Sequence, residues 1–248
     1  MMLGIIGGSG LTRMANLATD RRVVVRTPYG DPSAALISGK IAGRDVVFLA
    51  RHGERHTIPP HRVNYRANLW AMRGAGVPEI AAIFSVGGIA EALGPGVLAV
   101  PDQLIDYTHG RAHTYFDGED GNVVHVDFTR PYAPAVRAGL LQAAARAGTA
   151  AIDGGVYGVV NGPRLESAAE IDRLERDGAT MVGMTGMPEA GLARELGLLY
   201  GALAVSVNYA AGRGDSLEQV SLEQIRNVLE PAMGRVRELL EHWVRDHD

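Results

Sequence analysis

The feature that most constrains this chain is an apolar run followed directly by two side chains that bind anions. Residues 46–50, with the sequence VVFLA, are uninterrupted apolar residues and predict a buried strand. Arg51, His52 and Gly53 follow at once. In α/β proteins ligands bind at the carboxyl ends of strands, and the planar donor fork of arginine matches an oxyanion such as phosphate. The run therefore predicts an anion site where this strand ends.

Two glycine-rich segments are predicted to end strands in the same way. Residues 4–10 read GIIGGSG, and residues 83–88 read IFSVGG. Each supplies exposed backbone N–H groups and one hydroxyl, from Ser9 and Ser85, which together form a typical anion nest. The three strand ends predict a site for free or transferred phosphate.

The pair Arg51-His52 has two other interpretations. Arg-His-Gly-Glu after an apolar strand also opens the histidine phosphatases, where the histidine is a nucleophile. That motif normally lies on the first strand of its domain, whereas about fifty residues with their own strand pattern precede it here. A surface Arg-His pair at the end of a strand is the third interpretation.

Composition excludes several classes of function. The chain has 248 residues, of which 46% are hydrophobic and 21% charged, with a net charge of −4 and no cysteine. These values predict a cytoplasmic globular protein without disulfides or thiolate metal sites, and they argue against nucleic-acid or membrane partners. No signal peptide or membrane-spanning run is expected. Because no linker or repeat divides the chain, we predict one domain over residues 1–248.

The rest of the pattern predicts an α/β fold with a mixed sheet flanked by helices. Antiparallel strands are expected before residue 50, on both sides of a turn at 28–32. Ser167 with Glu170 predicts a capping box at the start of one helix. The last helix should begin after Ser221 and be interrupted at Pro231. Further strands are predicted at 80–84, 96–100, 156–160, 180–184 and 199–207, and further helices at 61–72, 134–147 and 189–196.

A polar segment at residues 107–127 breaks this alternation and is too long for a simple connection. The spacing of His109 and His113 is compatible with a metal site, but solvated loop histidines are the better interpretation without helix or strand context. Segments of this kind often complete a site or contact a neighbouring subunit.

Seven segments, in one order, resemble the trimeric purine nucleoside phosphorylase family, and within it the methylthioadenosine phosphorylase branch. They are GIIGGSGL at 4–11, LARHG at 49–53, HTI at 56–58, VNY at 63–65, DQLID at 102–106, GPR at 162–164 and MT at 184–185. The resemblance argues against the histidine phosphatase interpretation, and a dinucleotide-binding fold is not expected either, because residues 7–10 lack the Rossmann glycine spacing. It implies one α/β domain with a distorted, partly closed barrel-like sheet surrounded by helices, assembled as a homotrimer. It also implies phosphorolysis of a purine nucleoside, with inorganic phosphate as co-substrate and no metal or organic cofactor.

The resemblance also implies roles for individual residues. Met184 would lie beneath the ribose, and His56 would belong to the nucleoside site. Leu165 stands where the family places a phenylalanine against the purine, which weakens stacking on the base. His125 matches a residue that the adjacent subunit lends to the 5′ end of the nucleoside. The implied phosphate ligands are Ser9, Arg51, His52, Ser85, Val86 and Thr185.

The preferred base and the preferred 5′ group are predicted from two segments, one that differs from adenine-using relatives and one that matches the methylthioadenosine branch. Adenine-using relatives carry a Thr-Asp-Tyr-Asp run where residues 207–210 read VNYA, so that Asn208 and Ala210 replace both aspartates. The two N–H donors of Asn208 can address O6 and N7 of a 6-oxopurine, although a flipped amide would suit adenine. Val220 and Leu222 stand where the methylthioadenosine branch surrounds the thioether.

We therefore expect methylthioinosine to be preferred over methylthioadenosine, with hypoxanthine as the released base. Three alternatives stay open: a methylthioadenosine phosphorylase, a general 6-oxopurine nucleoside phosphorylase, and a non-catalytic nucleoside-binding protein. Asn208 could also merely stabilise the end of a strand.

Overall fold

The computed structural model of the protein describes residues 2–118, 121 and 123–247. Met1 and Asp248, the ends of the predicted domain, lie outside the described residues. Within these residues the chain forms one mixed sheet of eleven strands with five α-helices around it. The predicted α/β class and single-domain organisation are confirmed.

The secondary-structure elements have the following bounds. The strands are β1 (Leu3–Gly7), β2 (Ala18–Val23), β3 (Leu36–Ile41), β4 (Arg44–Ala50), β5 (Glu79–Gly88), β6 (Leu98–Val100), β7 (Gln103–Asp106), β8 (Ala151–Asp153), β9 (Val156–Val159), β10 (Met181–Gly183) and β11 (Leu199–Tyr209). The helices are α1 (Tyr65–Gly74), α2 (Pro134–Arg146), α3 (Ala168–Arg176), α4 (Gly186–Glu195) and α5 (Leu222–Arg245). No helix in the part of the chain that the structure describes is long and apolar enough to cross a membrane.

Strand β5 organises the sheet because both of its edges are paired. One edge pairs with β1 over its first half and with β10 near its end, while the other pairs with β11 along its length. The main path runs β2-β3-β4-β1-β5-β10-β9-β7, and β11, β6 and β8 branch from β5. The expected partial closure into a barrel is wrong. Because β1 and β10 divide one edge of β5, the sheet forks there, and its described outer strands β2, β7 and β8 do not pair with one another.

The apolar run of β4 is uninterrupted because both faces of the sheet are covered. Val46 and Phe48 pack in a core cluster with residues of α2 and α5, whereas Val47 and Leu49 pack in a second cluster with residues of α1 and α4. A strand buried on both faces does not alternate apolar and polar residues. This packing gives the end of β4 a rigid support.

Most predicted elements are confirmed, with two differences. The antiparallel meander of β2, β3 and β4 is present, and Ser167 and Glu170 form the capping box of α3. Helix α5 continues through Pro231, since its buried face from Ala232 to Val244 packs along the sheet and α2. The short strands β7 and β8 were not predicted, because three or four residues show no periodicity.

Candidate active site

The ends of four parallel strands lie at one edge of the sheet. Strands β1, β4 and β11 run parallel to their neighbours in the order β4-β1-β5-β11, so their carboxyl ends point the same way. Ser9 and Arg51 follow β1 and β4, and Ser85 and Asn208 lie near the ends of β5 and β11. The sheet thus brings together side chains that are up to about two hundred residues apart in the chain, as expected for ligand sites in α/β proteins.

Strand β10 adds a fifth segment from the opposite direction. It pairs antiparallel with the end of β5, with Met181 opposite Gly88 and Val182 opposite Gly87. The chain beyond β10 therefore runs back beside Ser85. This places Met184 and Thr185 in the same cavity as the ends of the parallel strands.

A cavity of about 690 Å³ collects these segments. His125 does not border it and lies in an exposed segment. All residues predicted for the site except His125 therefore line one cavity, whereas their individual roles stay predictions. The predicted residues that line the cavity are Ser9, Arg51, His52, His56, Ser85, Val86, Leu165, Met184, Thr185, Asn208, Ala210, Val220 and Leu222.

Arg51 is fully buried and forms an ion pair with Glu189 of α4. Its Nε and Nη2 donate to the two carboxylate oxygens at 2.7 and 2.8 Å, and its Nη1 donates to the carbonyl oxygen of Ile83 at 3.0 Å. Burial opposes the charge, but the Glu189 carboxylate raises the pKa of Arg51 above its ordinary value. Sequence reasoning missed Glu189, because it lies 138 residues from Arg51 and no local pattern marks it.

His52 is a neutral acceptor in this site. Its Nδ1 lies 2.8 Å from the carbonyl oxygen of Ile58, which can only accept, so Nδ1 carries the proton. Burial, followed by the adjacent charge of Arg51, lowers the pKa of His52 to about 4. At neutral pH, Nε2 therefore holds a lone pair and can accept a hydrogen bond from a phosphate hydroxyl.

Lowering the pKa of His52 makes the stability of the protein depend on pH. The folded pKa of about 4 lies below the ordinary 6.5, so between these values the unfolded state binds more protons. As the pH decreases from 6.5 to about 4, protonation of His52 in the unfolded state should lower the free energy of unfolding by up to about 3 kcal/mol. Urea unfolding at several pH values should show a smaller fall for His52→Gln, and the same fall as wild type for His113→Gln, an exposed control. An equal fall of the free energy of unfolding in wild type, His52→Gln and His113→Gln would contradict the lowered pKa of His52.

Ser9 is held between two neighbours. Its Oγ forms a 2.9 Å hydrogen bond with Nε2 of His56, and Ser85 Oγ donates to the Ser9 carbonyl oxygen at 3.3 Å. His56 adopts a left-handed backbone conformation with φ of 53°, which is uncommon for a residue with a Cβ. Its ring lies 4.8 Å from that of His52, between centroids. The histidines and Ser9 thus form one connected wall of the cavity.

Residue 8 must be glycine because neighbouring atoms of Ile83 and Arg51 leave no room for a Cβ. A Cβ at this position would lie 2.6 Å from the carbonyl oxygen of Ile83 and 3.0 Å from Nη1 of Arg51. Both distances are shorter than a normal contact, and the first atom belongs to the backbone. A side chain at residue 8 would therefore displace β5 or the guanidinium from the cavity wall.

Asn208 lies at an irregular point of β11, where the register with β5 shifts between Ser206 and Asn208. Its Nδ2 donates to the carbonyl oxygen of Tyr209 at 2.6 Å. The Tyr209 carbonyl also fixes the orientation of the amide, since Oδ1 could not approach another acceptor so closely. The expectation that both N–H groups face the purine is therefore corrected: this arrangement offers one N–H and Oδ1.

Glu166 is the second residue that sequence reasoning missed. It lines the cavity, and its Oε1 is buried without a hydrogen-bond partner among the described residues. Burial raises the pKa of Glu166 above its ordinary value. A buried acceptor without a partner is costly, so this oxygen is suited to a donor on a ligand. Its position beside Leu165, two residues after the GPR segment at 162–164, was the available signal.

The described residues contain no group of three or more histidine, aspartate or glutamate side chains that could hold a metal ion. His109 and His113 are exposed. The expectation of no metal and no cofactor stays a prediction.

Comparisons with known proteins agree with this geometry. The family model described as "Phosphorylase superfamily" matches residues 2–245. A protein of Pseudomonas syringae pv. tomato, named probable S-methyl-5'-thioinosine phosphorylase, is 50% identical over 236 residues, which cover 95% of each chain. A purine nucleoside phosphorylase of Streptomyces coelicolor is 46% identical over 244 residues, covering 96% of this chain and 86% of that protein.

Among solved structures, methylthioadenosine phosphorylase from Schistosoma mansoni in complex with adenine superposes with a TM-score of 0.93 and 31% sequence identity. The superposition covers 98% of this chain and 91% of that one. Sequence, fold and the position of the cavity therefore lead to one conclusion: the chain belongs to the phosphorylase superfamily.

Proposed function

We propose that the protein cleaves S-methyl-5'-thioinosine with inorganic phosphate, giving hypoxanthine and 5-methylthioribose 1-phosphate. The observation that carries the proposal is the set of side chains that line one cavity. It combines hydrogen-bonding groups suited to an oxyanion, aliphatic side chains from Val220 and Leu222, and the unpartnered carboxylate oxygen of Glu166. The names of relatives at about 50% identity support the same substrate.

The chemistry uses these residues without a cofactor. A phosphate oxygen forms a bond to the anomeric carbon while the bond from that carbon to N9 breaks, and the sugar develops oxocarbenium character. The proton of the phosphate hydroxyl ends on the purine. Ser9, Arg51 and Thr185 would hold the phosphate beside the developing positive charge, and the free N–H of Asn208 would donate to N7 as the base acquires negative charge.

Glu166 is the group that would select a 6-oxopurine. Hypoxanthine carries a donor at N1, whereas N1 of adenine is an acceptor. The ionised Glu166 carboxylate can only accept, so it pairs with the first and repels the second. In this orientation the Asn208 amide does not select a 6-oxopurine, because its free N–H fits N7 of either base and its Oδ1 could accept from the 6-amino group of adenine. The selectivity in this proposal therefore rests on Glu166.

Phosphate-dependent release of base tests the proposed function. Purified protein should form hypoxanthine and the sugar phosphate from methylthioinosine only when phosphate is present. Release at equal rates without phosphate would indicate a hydrolase, and tight nucleoside binding without release would indicate a binding protein. Either result would overturn the proposal.

The 5′ group provides a further prediction. Val220 and Leu222 offer no partner to a 5′-hydroxyl, and an unpaired buried hydroxyl costs about 1–3 kcal/mol. We expect kcat/KM for methylthioinosine to exceed that for inosine by about 5- to 150-fold. Val220→Ser should narrow the ratio of the two kcat/KM values, whereas Val24→Ser, at a 78% exposed site outside the cavity, should leave this ratio unchanged. Equal efficiencies for the two nucleosides would favour a general 6-oxopurine phosphorylase.

Assembly as a homotrimer is also part of the proposal. Three valines, Val123, Val124 and Val126, surround His125 and are 80%, 44% and 39% exposed in the single chain. Clusters of this kind often lie at interfaces. Sedimentation should show a trimer, and His125→Ala should lower kcat/KM more than His113→Ala does. A stable and fully active monomer would refute this prediction. The cytoplasmic location and the absence of nucleic-acid and membrane partners stay predictions.

A further inference from the structure

The guanidinium of Arg51 is held so that part of its donor set stays unused. An arginine has five N–H donors, and three of these bind Glu189 and the carbonyl oxygen of Ile83. The other two have no acceptor among the described residues. Glu189 binds the side of the guanidinium formed by Nε and Nη2, and one donor on each Nη remains. Arg51 borders the cavity although its own surface is fully buried, so these two donors are the ones it could offer to a ligand bound against it.

Glu189 itself is held from the opposite side. It is fully buried in α4, does not line the cavity, and accepts a 2.7 Å hydrogen bond from the hydroxyl of Tyr200 in β11. The ring of Phe84 lies 5.2 Å from the carbon of the Arg51 guanidinium and restricts it from one face. The chain of contacts from Tyr200 through Glu189 to Arg51 therefore leaves the guanidinium one orientation.

Stability alone does not explain this arrangement. Buried ion pairs can often be replaced by apolar residues of similar volume without loss of stability, because desolvation offsets much of the attraction. The surrounding cluster is apolar and could accommodate such residues. What an apolar pair could not supply is two oriented donors at the wall of the cavity.

We propose that Glu189 is a positioning residue for phosphate, acting through Arg51 and held in place by Tyr200. This inference rests on the proposed function, because it requires that phosphate binds where Arg51 meets the cavity. It makes Glu189 responsible for affinity for phosphate and not for affinity for the nucleoside.

Steady-state kinetics can separate these two affinities. In Glu189→Gln the amide N–H groups would face the guanidinium donors, so at least one of the paired contacts is lost. We expect KM for phosphate, measured at saturating methylthioinosine, to rise about ten-fold or more, by analogy with outer residues that orient metal ligands. KM for methylthioinosine at saturating phosphate should stay unchanged. A merely structural role would not separate the two constants.

Two tyrosine variants form a matched pair in case Glu189→Gln does not fold. Tyr200→Phe removes the hydroxyl that binds Glu189, whereas Tyr132→Phe removes a buried hydroxyl that has no partner among the described residues and whose ring stacks on Tyr200. We expect KM for phosphate to rise in Tyr200→Phe and to stay unchanged in Tyr132→Phe. Equal phosphate constants in wild type and Tyr200→Phe would overturn the positioning role, even if wild type requires phosphate. Release of base by wild type without phosphate would overturn the proposed function itself.

Discussion

Methylthioinosine is expected to be cleaved with a kcat/KM at least about 10²-fold higher than that of methylthioadenosine. The reason is the buried Oε1 of Glu166, which has no partner in the described chain and can accept from N1–H of a 6-oxopurine. With adenine, the carboxylate would face the N1 acceptor and both groups would be unpaired. Parallel assays of the two nucleosides with the same enzyme preparation measure the ratio.

Substitution of Glu166 provides the control for this discrimination. The amide of Glu166→Gln can present either an acceptor or a donor, so the ratio should fall toward one. Glu175→Gln, at an exposed position of α3 that pairs with Arg213, should leave the ratio unchanged. Preference for methylthioadenosine by the wild-type enzyme would place it with the adenine-using branch and exclude this role of Glu166.

The pH dependence of the same ratio gives an independent check. Burial raises the pKa of Glu166, so its carboxyl group takes up a proton earlier than an exposed glutamate as the pH decreases. The protonated group can donate to N1 of adenine and no longer rejects it. Discrimination should therefore weaken at lower pH in wild type, whereas Glu166→Gln should show no such change.

The sequence predicted the parts of the site that lie at strand ends. The uninterrupted run of β4 and the glycine-rich segments after β1 and in β5 indicated where the chain would present Ser9, Arg51 and Ser85, because strands buried on both faces have a strong local signal. The resemblance added residues that no local pattern marks, including Met184 and Thr185.

What the sequence did not predict depends on tertiary packing. The contact between Arg51 and Glu189 joins β4 to α4, and Tyr200 reaches the same carboxylate from β11. The orientation of the Asn208 amide depends on the carbonyl of the next residue, which follows from the bulge in β11 and not from composition. These contacts decide which donors remain for the substrate, so the chemistry of the site could be predicted only in outline.

Replacement of Arg51 by alanine is expected to lower the free energy of unfolding by about 3–5 kcal/mol, because the variant leaves the carboxylate of Glu189 buried without its cation. Loss of a charged, desolvated ligand contact would weaken phosphate binding by about 2–5 kcal/mol as well. Both losses would reduce activity in Arg51→Ala, so this variant alone cannot tell a phosphate ligand from a structural residue.

A double variant separates the two effects. Arg51→Met combined with Glu189→Leu replaces both charges with apolar side chains of similar length, and such replacements often restore or increase stability. We expect urea unfolding of the double variant to approach that of wild type, while phosphate no longer raises its unfolding midpoint and phosphate-dependent release of hypoxanthine is lost. In wild type, phosphate should stabilise the folded state, because it binds that state alone. Retention of phosphate-dependent activity by the stable double variant would show that Arg51 does not bind phosphate, since no cation would then remain at that position of the cavity wall.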